Sequence, residues 1–327
     1  MSPTKKRSTS GQKAASAGGP AGAEESTAGP ASDGKGSPRA EGVWTAIATP
    51  FRDGRVDRES LVRLVEAQIA AGVTGVCPCG TTGESPTLSE DEHLEIVATA
   101  VEAAAGRVAV FAGTGTNDTR HAVALTRQAK TAGADGALAV SPYYNRPTQE
   151  GLYRHFRAMA DDGGLPLMLY HIPPRTGGSI EVETIARLWK AGGMFALKEA
   201  GGHVDRMTRL REACGIPILS GDDGLTLPFL SLGAVGVVSV ASNVVAKQIV
   251  AMVGHARGGR PRDALKIHER LAPLVRALFA ETNPIPVKTA LRLIGVFTSD
   301  EIRLPLVPAS APVVAALSAA LASLGLA

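Results

Sequence analysis

Aromatic residues make up only 4% of this 327-residue chain, and cysteine occurs three times. Cys77, Cys79 and Cys214 are too few for the disulfide framework of a small secreted domain. The Cys77-Pro78-Cys79 spacing has no second pair after it and is not a zinc pattern. All three therefore read as packed or free thiols of a reducing cytoplasm. No apolar run reaches the roughly 18–20 residues of a membrane-crossing helix, so no membrane partner is expected. Charge of either sign is scarce in net terms: a balance of +3 predicts neither nucleic acid nor an anionic lipid surface as a partner. His93, His121, His155, His171 and His203 show no ligand spacing that compels a metal.

The first 40 or so residues lack leucine, isoleucine, valine and every aromatic residue. Such a segment buries too little apolar surface to offset its ordering entropy, so residues 1–40 are expected to be a disordered tail. Lys5-Lys6-Arg7 is followed by no apolar h-region, which argues against an export signal. Glu24, Glu25 and Asp33 argue against an acid-poor organelle presequence.

What the rest of the chain has is hydrophobic periodicity, and 44% of all residues are hydrophobic. Eight short β-prone runs recur from Val43: Val43–Thr49, Thr74–Cys79, Val108–Gly113, Gly136–Ser141, Pro166–Ile172, Met194–Lys198, Ile216–Ser220 and Val235–Ala241. Their starts lie roughly 20–35 residues apart, the length of one strand–helix unit. Most are near-continuous apolar runs, as parallel strands buried on both faces require. Helix starts stand between them, at Ser89-Glu90-Asp91-Glu92, Asn117-Asp118-Thr119 and Thr148-Gln149-Glu150. The pattern predicts a (β/α)8 barrel over residues 41–260, with an open doubly wound sheet as the alternative. Helical segments near Arg262–Ala280, Pro286–Ile294 and Ala311–Leu324 predict a C-terminal helical domain over residues 261–327.

Barrels of this kind carry their active sites at the C-terminal ends of the strands. The unusual residues cluster there: Gly80-Thr81-Thr82-Gly83-Glu84, Pro142-Tyr143-Tyr144-Asn145, Tyr170 with Arg175 beyond it, Lys198, and Ser220-Gly221-Asp222-Asp223. Lys198 closes an apolar strand, so its stem enters the barrel interior. A lysine taken from water loses its proton readily, and the neutral amine attacks a ketone to form a Schiff base. Taken alone, a lysine at a strand end also fits a side chain that snorkels to solvent. The hydroxyls of Tyr170, Tyr144 and Thr81 at neighbouring strand ends favour the chemistry, because imine formation needs protons moved. Tyr143 and Tyr144 also fit plain packing under a loop, and Arg175 fits either a forked grip on a carboxylate or an exposed loop position. Gly80-Thr81-Thr82-Gly83 lacks the lysine of a phosphate loop, and Gly113-Thr114-Gly115 lacks the rest of a dinucleotide fingerprint. His171 follows Tyr170 on a strand, so it should face the opposite side as a packed histidine.

Together, Gly80–Ser85, Pro142–Phe156, Tyr170–Gly177, Leu197–Ala200, Leu219–Asp223, Gly233–Asn243, Asn283–Lys288 and Leu304–Pro308 resemble the dihydrodipicolinate synthase family, within the dihydrodipicolinate synthase / N-acetylneuraminate lyase superfamily. The resemblance runs from about Val43 to the end of the chain. It implies a class I aldolase-type lyase that joins pyruvate to L-aspartate 4-semialdehyde, giving 4-hydroxy-tetrahydrodipicolinate for lysine and diaminopimelate biosynthesis. It implies no cofactor. Lys198 matches the Schiff-base lysine, Tyr170 the proton-shuttling tyrosine, and Thr81 the relay threonine. Tyr144 matches a tyrosine that enters the neighbouring subunit's site, within a homotetramer built as a dimer of dimers. Thr82 matches the pyruvate-carboxylate contact and Arg175 the contact to the carboxylate of the semialdehyde. Gly221 and Val238 match residues lining the pocket near the lysine. Lysine-sensitive members bind lysine at a dimer interface, and the matching positions are Ser85, Pro86, Glu90, His93, Asn117, His121 and Tyr143. Of these, His121 replaces a glutamate and Glu90 replaces a residue that is often histidine. A further departure is His171, where the family usually carries asparagine. The rival readings are a superfamily aldolase or dehydratase for a sugar-derived 2-oxo acid, and a non-catalytic metabolite-binding paralogue. The Arg175-Thr176-Gly177 segment argues against the first, and joint retention of Lys198, Tyr170, Thr81 and Tyr144 against the second.

Overall fold

All eight apolar runs become strands in the computed structural model, which describes residues 38–326. The expected disordered tail lies outside the described residues as far as residue 37. Ala40, at the end of that segment, is buried, and its carbonyl accepts a hydrogen bond from Trp44 Nε1 at 3.0 Å.

The strands are β1 (Gly42–Ala46), β2 (Gly75–Cys77), β3 (Ala109–Gly113), β4 (Gly136–Val140), β5 (Leu167–His171), β6 (Met194–Glu199), β7 (Ile218–Ser220) and β8 (Gly236–Ser239). Each pairs in parallel with the next, and β8 returns to pair with β1 through Gly42↔Gly236 to Thr45↔Ser239. That closure excludes the open doubly wound sheet. The run beginning at Val43 leaves the sheet earlier than its apolar character suggests. Beyond the strand, Asn243 satisfies the backbone: its amide donates to Ala46 O at 2.8 Å and accepts from Ala48 N at 3.2 Å.

The helices that follow the strands are α1 (Arg58–Ala71), α2 (Glu90–Ala104), α3 (Thr119–Thr131), α4 (Gln149–Gly163), α5 (Val182–Ala191), α6 (Arg206–Ala213), α7 (Thr226–Ser231) and α8 (Ser242–Arg257). The start signals work as caps. Ser89 and Glu92 form a reciprocal capping box, Asp118 accepts from Arg120 N, and Thr148 accepts from Gly151 N. Three further helices, α9 (Pro261–Leu278), α10 (Ile285–Leu293) and α11 (Ala311–Ser323), complete the described chain. Their Leu271, Leu274, Val287, Leu291 and Leu317 belong to the same buried cluster as Ile249 and Met252 of α8.

Inside the barrel the scarce aromatics are concentrated at the N-terminal end. Trp44 and Phe111 meet edge to face at 4.8 Å, and Phe111 and Phe195 lie 4.6 Å apart. Glycine opens the room for them. A Cβ at Gly75 would lie 2.3 Å from the Trp44 ring, and one at Gly136 would lie 2.4 Å from the Phe111 ring. This plug fills that part of the barrel interior, and the cavity lined by the strand ends opens at the opposite, C-terminal mouth.

Candidate active site

Strand alternation decides which side chains reach that mouth. Ala196 of β6 faces the interior cluster, so Lys198, two residues on, points the same way, and Leu197 and Glu199 point outward. Lys198 is 5% exposed, and its register partner on β5 is Tyr170, also 5% exposed. Lys198 Nζ lies 4.0 Å from the centre of the Tyr170 ring. The nearby Cys77 is no rival nucleophile. Burial pushes its thiol up to about 12, and the Lys198 charge offsets this only in part.

A cavity of about 400 Å³ opens above the pair. Of the residues expected from sequence, it is lined by Thr81, Thr82, Tyr170, Arg175, Lys198 and Gly221. Gly221 is required by close approach. A Cβ there would lie 2.7 Å from the Ala200 Cβ and 3.1 Å from Lys198 Cγ. Thr82 is buried at 2% exposure, and its hydroxyl accepts from Asn283 Nδ2 at 3.0 Å. That leaves the hydroxyl proton free to be donated to a substrate oxygen. The loop carrying the two threonines is anchored at Glu84, whose carboxylate is paired with the fully buried Lys288 of α10. Arg175 sits in the short helix Pro173–Thr176, which leaves β5 through Ile172, and its guanidinium donates to Asn283 O at 3.3 Å.

Two expected residues sit elsewhere. Val238 is buried in the barrel interior with Tyr170 and Leu219, and Val240 takes the place at the cavity wall. Tyr144 lies outside the cavity, 90% exposed, with a left-handed φ of 71°. Residues from the C-terminal segments complete the wall: Val275, Arg276, Phe279 and Asn283. The Asn283-Pro284 dipeptide at the head of a matched stretch is the one sequence signal that pointed at any of them.

The second cluster expected from sequence also assembles in part. His121 Nε2 lies 3.4 Å from Glu90 Oε1 on the neighbouring helix. His93 is buried and bonds Gly113 O through Nε2 at 2.7 Å, while its Nδ1 has no partner among the described residues. Burial is the largest influence on His93 and lowers its pKa, and both Glu90 and His121 act on it electrostatically. Asn145 links the remaining members: its amide donates to Asn117 O at 2.9 Å and its backbone N–H to Tyr143 O at 2.9 Å. Ser85 lies in the one-turn helix Ser85–Thr87 after the Glu84 anchor. Among the described residues no group of three or more His, Cys, Asp or Glu side chains is placed to hold a metal ion. No helix there is long and apolar enough to cross a membrane.

The chain and its fold have known counterparts. The chain is 51% identical over 270 residues to the 4-hydroxy-tetrahydrodipicolinate synthase of Nitratidesulfovibrio vulgaris strain DP4, covering 82% of this chain and 92% of that one. It is 48% identical to the 4-hydroxy-tetrahydrodipicolinate synthase of Endomicrobium trichonymphae, covering 87% of this chain and 98% of that one. The structure of the 4-hydroxy-tetrahydrodipicolinate synthase from Methylacidiphilum fumariolicum SolV superposes with a TM-score of 0.85 at 50% identity, covering 87% of this chain and 96% of that one. The family description that matches residues 39–324 is the dihydrodipicolinate synthetase family. With the family match over residues 39–324, the shared fold and near-full-length relatives in agreement, the chain belongs to the dihydrodipicolinate synthetase family.

Proposed function

We infer that this chain catalyses the 4-hydroxy-tetrahydrodipicolinate synthase reaction, joining pyruvate to L-aspartate 4-semialdehyde. The observation that carries the mechanism is the buried Lys198 amine held 4.0 Å from the Tyr170 ring at the floor of the cavity. Lys198 Nζ attacks C2 of pyruvate, and the carbinolamine loses water to give an iminium ion. Loss of a proton from C3 gives the enamine, whose C3 attacks the aldehyde carbon of the semialdehyde. A carbon–carbon bond and a new hydroxyl result. The semialdehyde's amino group then attacks C2, expels Lys198 and closes the ring. One water leaves overall, and the imine itself is the electron sink, so the sequence draws on no metal or organic cofactor.

Tyr170, Thr81 and Tyr144 move the protons in this reading, Thr82 donates to the pyruvate carboxylate, and Arg175 holds the carboxylate of the second substrate. Gly221 keeps the space beside the lysine, and Val238 shapes the interior below it. Tyr144 is supplied by a second copy of the chain, which fits its exposure and distance from the single chain's own cavity. The active form is a homotetramer built as a dimer of dimers, working in the cytoplasm. Ser85, Glu90, His93, Asn117, His121 and Tyr143 form the regulatory position between copies, altered in its charges. An assay of the purified protein with pyruvate and aspartate semialdehyde tests the reading. Turnover of the semialdehyde is expected, and a preference for a sugar-acid aldehyde would contradict it.

A further inference from the structure

Behind the Lys198–Tyr170 pair, on the outer face of the same two strands, lies a buried polar network that the reaction does not use. His171 and Glu199 are the next register partners along β5 and β6. Their side chains are 2% and 0% exposed. Glu199 Oε1 accepts from His171 Nδ1 at 2.7 Å and from Gly201 N at 2.8 Å, and its Oε2 accepts from Arg206 Nε at 3.1 Å. The remaining ring nitrogen of His171, Nε2, meets Ser179 Oγ at 2.9 Å. Both ring nitrogens of His171 are therefore hydrogen-bonded, one to the Glu199 carboxylate and one to the Ser179 hydroxyl. Glu199 is thus held between His171 and Arg206, and neither ring nitrogen of the histidine is left unpaired.

The chain segment this network grips is the one that carries Arg175. The loop leaves β5 immediately after His171, passes through Arg175, and returns at Ser179 and Ile180. His171 holds Ser179, and Arg206 donates to Ile180 O. Gln149 fixes the same return point by donating to Ser179 O at 2.8 Å. The loop is thus closed at its base by a bond between the residue that begins it and the residue that ends it. A further feature fits the histidine into this place. A Cβ at residue 201 would lie 2.7 Å from Glu199 Oε1 and 3.1 Å from His171 Cε1, so Gly201 is what lets the pair pack beside the chain.

We propose that His171 is a positioning residue for the second substrate: through Glu199 and Ser179 it fixes the loop that presents Arg175 to the cavity. This rests on the assignment of aspartate semialdehyde as that substrate. Fixing a loop before binding removes its ordering entropy from the binding step and holds the guanidinium where the carboxylate arrives. The lysine chemistry lies on the other face of the strands, so the proposal separates two readouts that a general loss of stability would move together.

The test compares His171→Ala and Ser179→Ala with the wild-type full chain. The first removes the strand's end of the clamp and the second only the loop's hydroxyl. For His171→Ala, KM for aspartate semialdehyde is expected to rise roughly tenfold, with a smaller rise for Ser179→Ala. KM for pyruvate and the rate of inactivation by borohydride with pyruvate are expected to stay within about twofold of wild type. Amide hydrogen exchange over residues 172–180 should speed up in both variants. Unchanged exchange in that loop, or an unchanged KM for the semialdehyde, overturns the proposal, as does an equal loss in pyruvate trapping. If His171→Ala does not fold, Ser179→Ala decides by the same criteria. A wild-type protein that pyruvate and borohydride inactivate, but that turns over no semialdehyde, instead sinks the substrate assignment, and loop exchange still decides the clamp.

Discussion

Lys198 and Tyr170 are register partners on adjacent strands, and the lysine Nζ stands 4.0 Å from the centre of the tyrosine ring. Pairing fixed by a strand ladder leaves neither side chain free to wander, and both are 5% exposed. The amine is thereby held out of bulk water next to a hydroxyl-bearing ring and below the mouth of the cavity. Proximity of this kind is paid for in folding, before substrate arrives.

Gly221 guards that placement. An alanine there would press on the Ala200 Cβ at 2.7 Å and on Lys198 Cγ at 3.1 Å. Gly221→Ala is expected to lower kcat/KM by roughly tenfold to a hundredfold by displacing the lysine stem. Steady-state kinetics with circular dichroism as a folding control checks it. Near wild-type kinetics would show that the lysine does not need the space.

His155 makes stability depend on pH. Burial holds its pKa near 4, against an ordinary value of 6.5. As pH falls, the unfolded chain takes up the proton first, so acid favours unfolding. The stability contribution is complete above pH 6.5, declines between 6.5 and 4, and is gone below about 4. Its full size is about 3 kcal/mol. Denaturant titrations across this range should show His155→Gln with a flatter profile than wild type. Parallel profiles would contradict the assignment.

The fold was legible because parallel strands buried on both faces need unbroken apolar runs, and Val108–Gly113 or Gly136–Ser141 can hardly be read otherwise. Lys198 was legible for the same reason, as a charge that ends such a run. Alternation also placed His171 correctly on the outer face. Its partner Glu199 was not legible, because the two meet only through the β5–β6 register, 28 residues apart in sequence. Arg276 and Asn283 were missed as wall residues because they follow the last strand. Helical periodicity says nothing of which face will dock over a distant barrel mouth. Val238 and Val240 share a parity along the same chain segment. Only the end of β8 at Ser239 separates the position in the barrel interior from the one at the cavity wall.

The proposed supply of Tyr144 from a second copy has a direct consequence. Tyr144→Phe and Lys198→Ala chains, each inactive alone, should regain part of the activity when mixed, since one hybrid site carries both groups. Native mass spectrometry confirms exchange of subunits. Exchange without recovered activity would show that Tyr144 acts within its own chain or not at all.

Inhibition by L-lysine is expected to be weak or absent. By the family resemblance, His121 stands where lysine-sensitive members carry a glutamate, and here it lies 3.4 Å from Glu90. The loss of one charge-assisted partner to the ligand ammonium is worth roughly 1–3 kcal/mol, or about tenfold to a hundredfold in affinity. A titration at fixed substrate decides it. Half-inhibition at sub-millimolar lysine would show that Glu90 and His121 have built a working alternative.

The covalent step is the centre of the account, and reduction of the trapped imine tests it most directly. The protein is incubated with pyruvate, reduced with borohydride, digested and mapped by mass spectrometry. Inactivation with a single adduct on Lys198, absent without pyruvate, is the expected result. An adduct on another lysine, or none with activity retained, would contradict it.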